Sequence, residues 1–309
     1  MELSLYTDSV ADLPIDQALD LAAGIGASAV EIAAGGQSSA PHMDVFELVD
    51  DAVRRREFAA RLSSRGLRLA AVNCSAWPLH PREGARHAEI MRAAVRLAGQ
   101  LGVTKIVTMS GCPGDSPAAQ TINWTFYPWP PEAVALRERQ WDEAVRFWED
   151  FAAFAAGHGI ERIALELHPM HLAYNVPTLL RLRGAIGPIV GANMDPSHMF
   201  WQQMEPAAAA RSLGPAVHHV HLKDVAYNDA QLGLAGVLDN RPFAEPFERA
   251  WTFCTVGKGH GPEFWAGFLA ALGQAGYDDV LSIENEDPLE PATEGVVNAA
   301  AFISGLLGR

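Results

Sequence analysis

Four short apolar segments in the second half of the chain each end in an acidic residue or a histidine. The end residues are Glu166, Asp195, His221 and Glu284. Short apolar runs bounded by polar residues are typical of buried parallel strands. Because ligands bind at the carboxyl ends of such strands in α/β proteins, we expect these four side chains to lie together on one face of a sheet.

Three carboxylates and one imidazole repel one another at close range unless a cation lies between them. A single glutamate or histidine at a strand end usually has a structural role, so the prediction depends on the four occurring together. Oxygen donors with one nitrogen suit Mn²⁺, Mg²⁺ or Co²⁺, and Zn²⁺ accepts the same donors. We therefore predict one divalent ion per chain, with Mn²⁺ as the first choice. Its predicted ligands are Glu166, Asp195, His221 and Glu284.

Other polar side chains close to these strand ends are candidates for catalysis and substrate binding. His168 lies two residues beyond Glu166, hence on the same side of an extended chain, where it could carry a proton. His198 and Lys223 follow the next two strand ends, and both are candidates for contact with a substrate. His218 and His219 precede a strand end, and we expect them to be buried or structural.

Eight apolar segments alternate with helical patterns along the whole chain. They end near residues 6, 32, 72, 109, 166, 194, 221 and 283. Eight such units joined by right-handed crossovers close into a barrel. An open doubly wound sheet is the alternative, but it typically carries a glycine-rich turn after the first strand, and YTDS at 6–9 has none. We predict a single (β/α)8 TIM barrel over residues 1–309, with loop insertions at about 110–131 and 228–260.

Both insertions follow strands and therefore belong to the predicted ligand-binding face. The first is rich in aromatic residues, and a loop of this length inside a compact domain is usually functional, so we expect it to cover the barrel mouth. The second we expect to be irregular. The tryptophans that could contact a substrate are Trp124 and Trp201, with Trp77 and Trp129 as further candidates.

The net charge and the composition limit the kinds of molecule that we expect the protein to bind. The 309 residues carry a formal net charge of -14, which opposes binding to nucleic acid, since that binding relies on Lys and Arg. Three widely spaced cysteines without a C-x-x-C pair are expected to be free thiols. With no signal peptide and no long apolar run, we expect a cytoplasmic protein that binds neither membrane nor nucleic acid. The expected partner is a small-molecule substrate; a homo-oligomer or a second small subunit is left open.

Several motifs resemble those of a known superfamily. They are ELHP at 166–169, DPSH at 195–198, HLKD at 221–224, GYDDVLSIE at 276–284 and VGKG at 256–259. Their order and spacing are similar to the xylose-isomerase-like TIM barrels, and most of all to the sugar phosphate isomerase/epimerase group. The resemblance implies a barrel with the metal at the four residues above. It also implies that Glu166 and Glu284 move a proton on a small carbohydrate substrate. His168, named above from its position alone, is a further candidate.

The reaction implied by the resemblance is isomerisation or epimerisation of a keto-sugar, through proton abstraction next to a carbonyl and a metal-stabilised enediolate. Ketose epimerases of the group carry an arginine six residues beyond the metal histidine, where this chain has Tyr227. The second insertion, with GVLD at 236–239 and RAWTF at 249–253, looks more like a branch that acts on 3-keto-glycosides. The alternatives are therefore a lyase or hydratase that deglycosylates 3-keto-glycosides by β-elimination, and a non-catalytic sugar-binding barrel.

The superfamily also contains a zinc endonuclease for abasic DNA, which needs additional histidine ligands on the third and fourth strands. Asn73 and Met109 stand near those strand ends in this chain. Together with the acidic net charge, these residues argue against DNA repair.

Overall fold

A computed structural model describes residues 1–308 and contains a closed barrel of eight parallel strands. The barrel strands are β1 Glu2–Tyr6, β2 Ala29–Gly36, β3 Arg68–Ser75, β4 Lys105–Thr108, β5 Arg162–Glu166, β6 Val190–Met194, β7 Val217–Leu222 and β10 Val280–Ile283. Their order around the barrel is β1-β10-β7-β6-β5-β4-β3-β2, in which sequence neighbours pair throughout. The predicted TIM barrel is confirmed.

The helices pack outside the barrel or cross its ends. They are α1 Ile15–Gly24, α2 Val45–Asp50, α3 Ala52–Ser63, α4 Gly84–Leu101, α5 Pro131–Gly157, α6 Val176–Ile186, α7 Pro196–Phe200, α8 Pro206–Leu213, α9 Asp229–Ala235, α10 Pro262–Gln274 and α11 Ala292–Leu306. The sequence predicts one helix over about 44–65, and this is wrong. Asp51 is extended there, and its side chain caps α3 by accepting hydrogen bonds from the backbone of Val53 and Arg54. Among the helices of residues 1–308, none has the length and apolar character required to cross a membrane.

Large apolar side chains fill the layer between the strands and the surrounding helices. Trp148 and Phe151 of α5, and Trp265 of α10, are fully buried there. Each such burial stabilises the fold by about 2 kcal/mol relative to exposure. Inside the barrel the side chains are smaller and include the buried cluster of Ala71 and Val107 with Ala164. The large residues thus hold the helices against a barrel whose interior has room for polar groups.

The amino-terminal end of the barrel is closed by ion pairs. The Lys105 ammonium lies 2.7 Å from the Asp279 carboxylate, which also contacts Arg68 at 3.2 Å. Burial acts to raise the pKa of Asp279, but Lys105 outweighs it and the pKa lies below its usual range. For Lys105 burial is the stronger effect, and its pKa is lowered despite the pairing. The pair therefore only partly offsets the cost of burying the ammonium.

The second insertion contains regular structure, so the expectation of an irregular segment is wrong. Strands β8 Asp224–Tyr227 and β9 Trp251–Cys254 form an antiparallel pair outside the barrel, with α9 between them. The Asp224 carboxylate ties the returning chain to the barrel by accepting hydrogen bonds from the backbone of Gly257, Gly259 and His260. A Cβ at Gly259 would lie 2.0 Å from the Val225 carbonyl oxygen, so this approach requires glycine.

Candidate active site

The carboxyl ends of β5, β6, β7 and β10 bring the four predicted ligands together. Each residue offers one oxygen or nitrogen atom, and these four atoms all lie within 4.8 Å of one another. All four residues are buried. These residues are Glu166, Asp195, His221 and Glu284. Topology produces the cluster, because β5, β6, β7 and β10 are consecutive in the barrel. The structure thus brings the four together, while their role as ligands stays a prediction.

Asp195 shows how local structure aims a side chain at the cluster. Pro196 begins α7, and Asp195 caps this helix through a 2.8 Å hydrogen bond from the Ser197 backbone to its Oδ1. The second oxygen, Oδ2, is buried without a hydrogen bond. Lys223 lies 3.4 Å from Oδ2 but is not aligned to donate to it. An unpaired buried carboxylate oxygen is costly, and a divalent cation among these donors would satisfy it.

The cluster has more carboxylates than cations. Burial, with Glu284 as the next contributor, raises the pKa of Glu166 to about 7. Burial acts in the same direction on Glu284, but Lys223 and His221 outweigh it and lower the pKa. Lys223 contacts Glu284 at 3.1 Å and Glu286 at 2.9 Å. Its own pKa is raised well above its usual range, although burial opposes this. Three carboxylates and one imidazole fit Mn²⁺, Mg²⁺, Co²⁺ or Zn²⁺.

Two histidines lie beside the cluster. His198 Nε2 is 3.0 Å from Glu166 and 3.3 Å from Asp195, although it is not oriented for a hydrogen bond to either. The His168 ring stacks edge-on against His198, with 4.1 Å between the centroids. Burial lowers the pKa of both rings to about 4, so both are neutral near pH 7. Because the Pro169 carbonyl can only accept, the 2.6 Å contact to it fixes the proton of His168 on Nδ1.

A cavity of about 930 Å³ opens onto these residues, which is near the upper end for small-molecule sites. Glu166, His168, His198, Lys223 and Glu284 line it, together with both predicted tryptophans, Trp124 and Trp201. A polar wall comes from the first three strands and their loops. Its residues are Asp8, Ser9, Gln37, Ser38 and Ser75. Asp195 and His221 are fully buried below the cavity surface.

The loop at 110–131 reaches this cavity only in part. Trp124 lines the cavity and donates a 2.9 Å hydrogen bond from Nε1 to the carbonyl of His171. Phe126, Tyr127 and Trp129 are exposed and do not line it. That the loop as a whole covers the mouth stays a prediction, which Trp124 supports because it lines the same cavity as Glu166.

An aromatic wall of the cavity is formed by Trp201, Phe243, Trp251 and Phe253. The Trp201 and Trp251 rings stack at 5.0 Å, and the Phe243 and Phe253 rings stack at 5.5 Å. The Arg249 guanidinium lies 4.1 Å from the centre of Phe243 and 4.7 Å from that of Trp251, which holds these two rings together. Sequence reasoning named Trp201 but missed the other three. For Trp251 and Phe253 the signal was the alternation of aromatic residues in RAWTF at 249–253, whereas Phe243 lies outside that motif.

Glu31 lies inside the barrel below the cluster, and sequence reasoning assigned it no role. Its carboxylate contacts His219 at 2.7 Å and His221 at 3.1 Å, both through Nε2. Asn73 and Ser282 donate further hydrogen bonds to it. His219 is buried, as expected. The available signal for Glu31 was a lone carboxylate within the apolar strand AVEIAA.

The comparison with known proteins decides the family. A family model described as "xylose isomerase-like TIM barrel" matches residues 19–305. The chain belongs to this family. The resemblance noted in the sequence is thereby confirmed.

Members and structural neighbours of this family give the context of the site. YfiH, an uncharacterized protein of Bacillus subtilis (strain 168), is 40% identical over 291 residues, which cover 93% of each chain. The IolI protein with a bound zinc atom superposes with a TM-score of 0.68 at 16% identity, over 100% of this chain and 98% of that one. D-psicose 3-epimerase, solved in the presence of D-fructose, gives a TM-score of 0.64 at 16% identity over 100% of both chains. At this identity, the two structures support the fold.

Proposed function

We propose that the protein is a divalent-metal-dependent enzyme that isomerises or epimerises a keto-sugar by moving a proton on a carbon next to the carbonyl. The observation that carries the proposal is the buried cluster of four donors below a large cavity lined by further acid–base side chains. Membership of the xylose isomerase-like family supports the barrel fold of the proposal. The D-psicose 3-epimerase among the structural neighbours is an example of such chemistry on this fold.

The four ligand candidates also include the groups that would move the proton. When bound by them, a divalent ion polarises a substrate carbonyl and so makes the neighbouring carbon-bound proton more acidic. Glu166 and Glu284 end β5 and β10, which are separated in the barrel by β6 and β7. The two carboxylates therefore approach the cluster from different sides. One can remove a proton from one face of the substrate, and the other can return it to the opposite face.

The remaining residues would bind and orient the sugar. Lys223 presents an ammonium to substrate oxygens, and its contact with Glu286 keeps it beside the cluster. His168 has its Nε2 free to accept, since Nδ1 donates to a carbonyl, so it can receive a proton or a hydroxyl hydrogen bond. His198 lies between Glu166 and the aromatic wall. Trp124 and Trp201 offer flat apolar surfaces for the ring face of a sugar.

The deciding experiment is turnover of free ketoses in D₂O with added Mn²⁺. An isomerase or epimerase places solvent deuterium on a carbon of the product. Metal content measured on protein purified without chelator should be one ion per chain, and Asp195→Ala should lose it. Equal metal content in the wild type and in Asp195→Ala would refute the proposed metal site. Absence of turnover with every keto-sugar, despite bound metal, would favour a non-catalytic sugar-binding barrel.

A second candidate is a lyase that deglycosylates 3-keto-glycosides, and the cavity is the observation that favours it. Its volume and its aromatic wall leave room for a second ring beside the sugar. Tyr227, which replaces the arginine of ketose epimerases, does not line the cavity. In the elimination, the base takes the proton next to the ketone, the carbon–carbon double bond forms, and the β-oxygen bond breaks to release the aglycone. With a 3-keto-glycoside added as a second substrate in the D₂O assay, a lyase therefore gives an unsaturated ketone and a free leaving group.

A further inference from the structure

We propose that Glu31 is a positioning residue for His221: its carboxylate holds the Nε2–H of this ring, so that Nδ1 faces the proposed metal site. The inference rests on the metal site of the proposed function. It adds a residue from β2, on the far side of the barrel interior, to the machinery that prepares the site.

The contacts of His221 place its two ring nitrogens in different surroundings. Nε2 lies 3.1 Å from both oxygens of Glu31. Nδ1 lies 3.0 Å from Glu284 and 3.2 Å from the side-chain nitrogen of Asn193. The Tyr6 ring stacks on the imidazole at 5.5 Å with an angle of 15° between the planes. The ring plane is thus fixed by Tyr6, and its in-plane orientation is fixed by Glu31.

The donors around Glu31 determine the tautomer. The Asn73 amide donates to Oε1 at 2.6 Å, and the Ser282 hydroxyl donates to Oε2 at 2.7 Å. A carboxylate surrounded by donors is ionised and can only accept. His219 and His221 must therefore both present Nε2–H to Glu31. With the proton of His221 held on Nε2, the lone pair of the neutral ring lies on Nδ1, where a metal can bind.

Glu31 is itself held rigidly. It is fully buried, and its partners come from three other strands, β3, β7 and β10. Because the Glu31 carboxylate is fixed by these contacts, it does not move when the His221 ring rotates. The hydrogen bond is kept only when the ring adopts the orientation that the carboxylate sets. Hydrogen bonding of this kind to a metal-bound histidine typically contributes 10–100-fold in metal affinity.

The same three residues, Glu31, His219 and His221, could be read as a second metal site, since their donor atoms also lie within 4.8 Å of one another. The donors from Asn73 and Ser282 argue against this reading. Together with the Nε2–H groups of His219 and His221, they fill the roughly four acceptor positions of an ionised carboxylate and leave none for a metal. One metal per chain is therefore expected, at the cluster above.

The test compares Mn²⁺ affinity in wild type and Glu31→Gln, with free Mn²⁺ counted by its electron paramagnetic resonance signal. Gln keeps the size but presents an NH₂ to surrounding donors, and we expect Mn²⁺ binding to weaken about 10–100-fold. Ser282→Ala is the matched control, since it removes one hydrogen bond to Glu31 but leaves the contact with His221, and its affinity should stay within about threefold. Equal affinity in wild type and Glu31→Gln, or two Mn²⁺ per chain in wild type, would overturn the inference.

A second measurement does not depend on the folding of any variant. Nitrogen-15 spectra of the histidine rings in the Zn²⁺-loaded wild type should show His221 protonated on Nε2 and bound through Nδ1. The opposite tautomer would overturn the assignment to Glu31, even with Zn²⁺ bound. If the wild type binds neither Mn²⁺ nor Zn²⁺, the proposed metal-dependent function is refuted, and this inference is refuted with it. The two failures are therefore distinguishable.

Discussion

Removal of divalent metal should lower the melting temperature of this protein, and the size of the change follows from the chain length. A ligand that binds only the folded state stabilises it by about 2.7 kcal/mol at a concentration of 100 times its Kd. Unfolding entropy is about 2.1 cal/mol/K per residue. For 309 residues this is about 0.65 kcal/mol/K, so saturating metal should raise the melting temperature by about 4 °C.

The variant Asp195→Asn separates metal binding from the stability of the fold. Asn retains an oxygen for the Ser197 backbone hydrogen bond and can still cap α7. It removes a buried negative charge whose Oδ2 has no hydrogen bond. The metal-free variant should therefore melt at or above the temperature of the metal-free wild type. It should also lose the 4 °C shift, because one of the three anionic ligands is gone.

The assay is differential scanning calorimetry after chelation, with Mn²⁺, Mg²⁺, Co²⁺ and Zn²⁺ added back separately. Glu286→Gln serves as the control, since Glu286 contacts Lys223 but is not a predicted ligand. It should retain the shift. A wild type that responds to none of the four ions would refute the reasoning, and so would an Asp195→Asn protein that responds as fully as the wild type.

Three further predictions follow from other parts of the structure. Asp279→Asn should cost about 3 kcal/mol in urea unfolding, since it leaves the Lys105 ammonium buried without a partner, whereas Lys105→Met should cost less. Because the pKa of Asp279 is lowered on folding, its contribution is present above its unfolded pKa of about 3.9 and is lost as the pH falls further. His168→Ala should reduce turnover about 10²-fold with bound metal unchanged, as measured by kinetics and elemental analysis. Phe243→Ala should raise the KM of a phenyl 3-keto-glycoside up to about tenfold, but not that of a free ketose.

The barrel and the cluster could be predicted from the sequence because both depend on one regular feature. Each strand is a short apolar run, and its end is marked by the residue type that follows it. A parallel barrel places all such ends on one face, so Glu166 and Glu284 could be assigned to one site although 118 positions separate them. No distance information was needed for this step.

The roles of residues whose side chains point into the barrel interior were harder to predict. Glu31 stands in the middle of an apolar strand, and the sequence does not show which partners face it across the barrel. Those partners lie up to 251 positions away, as Ser282 does. The helix break at Asp51 was missed for a local reason. An aspartate is compatible with a helix interior in sequence, and only the extended backbone shows that it acts as a cap.

The two ends of the barrel show why charge balance, and not the presence of charged residues, points to a metal. At the amino-terminal end Asp279 is shared by Lys105 and two arginines, so cations outnumber the carboxylate and no further cation is required. At the opposite end the Lys223 ammonium and the His221 ring face the three buried carboxylates of the cluster, besides the Glu31 carboxylate below. One carboxylate oxygen there still lacks a hydrogen-bond partner. Buried charge of one sign is stable only when it is compensated, so a divalent cation is expected at the second end and not at the first.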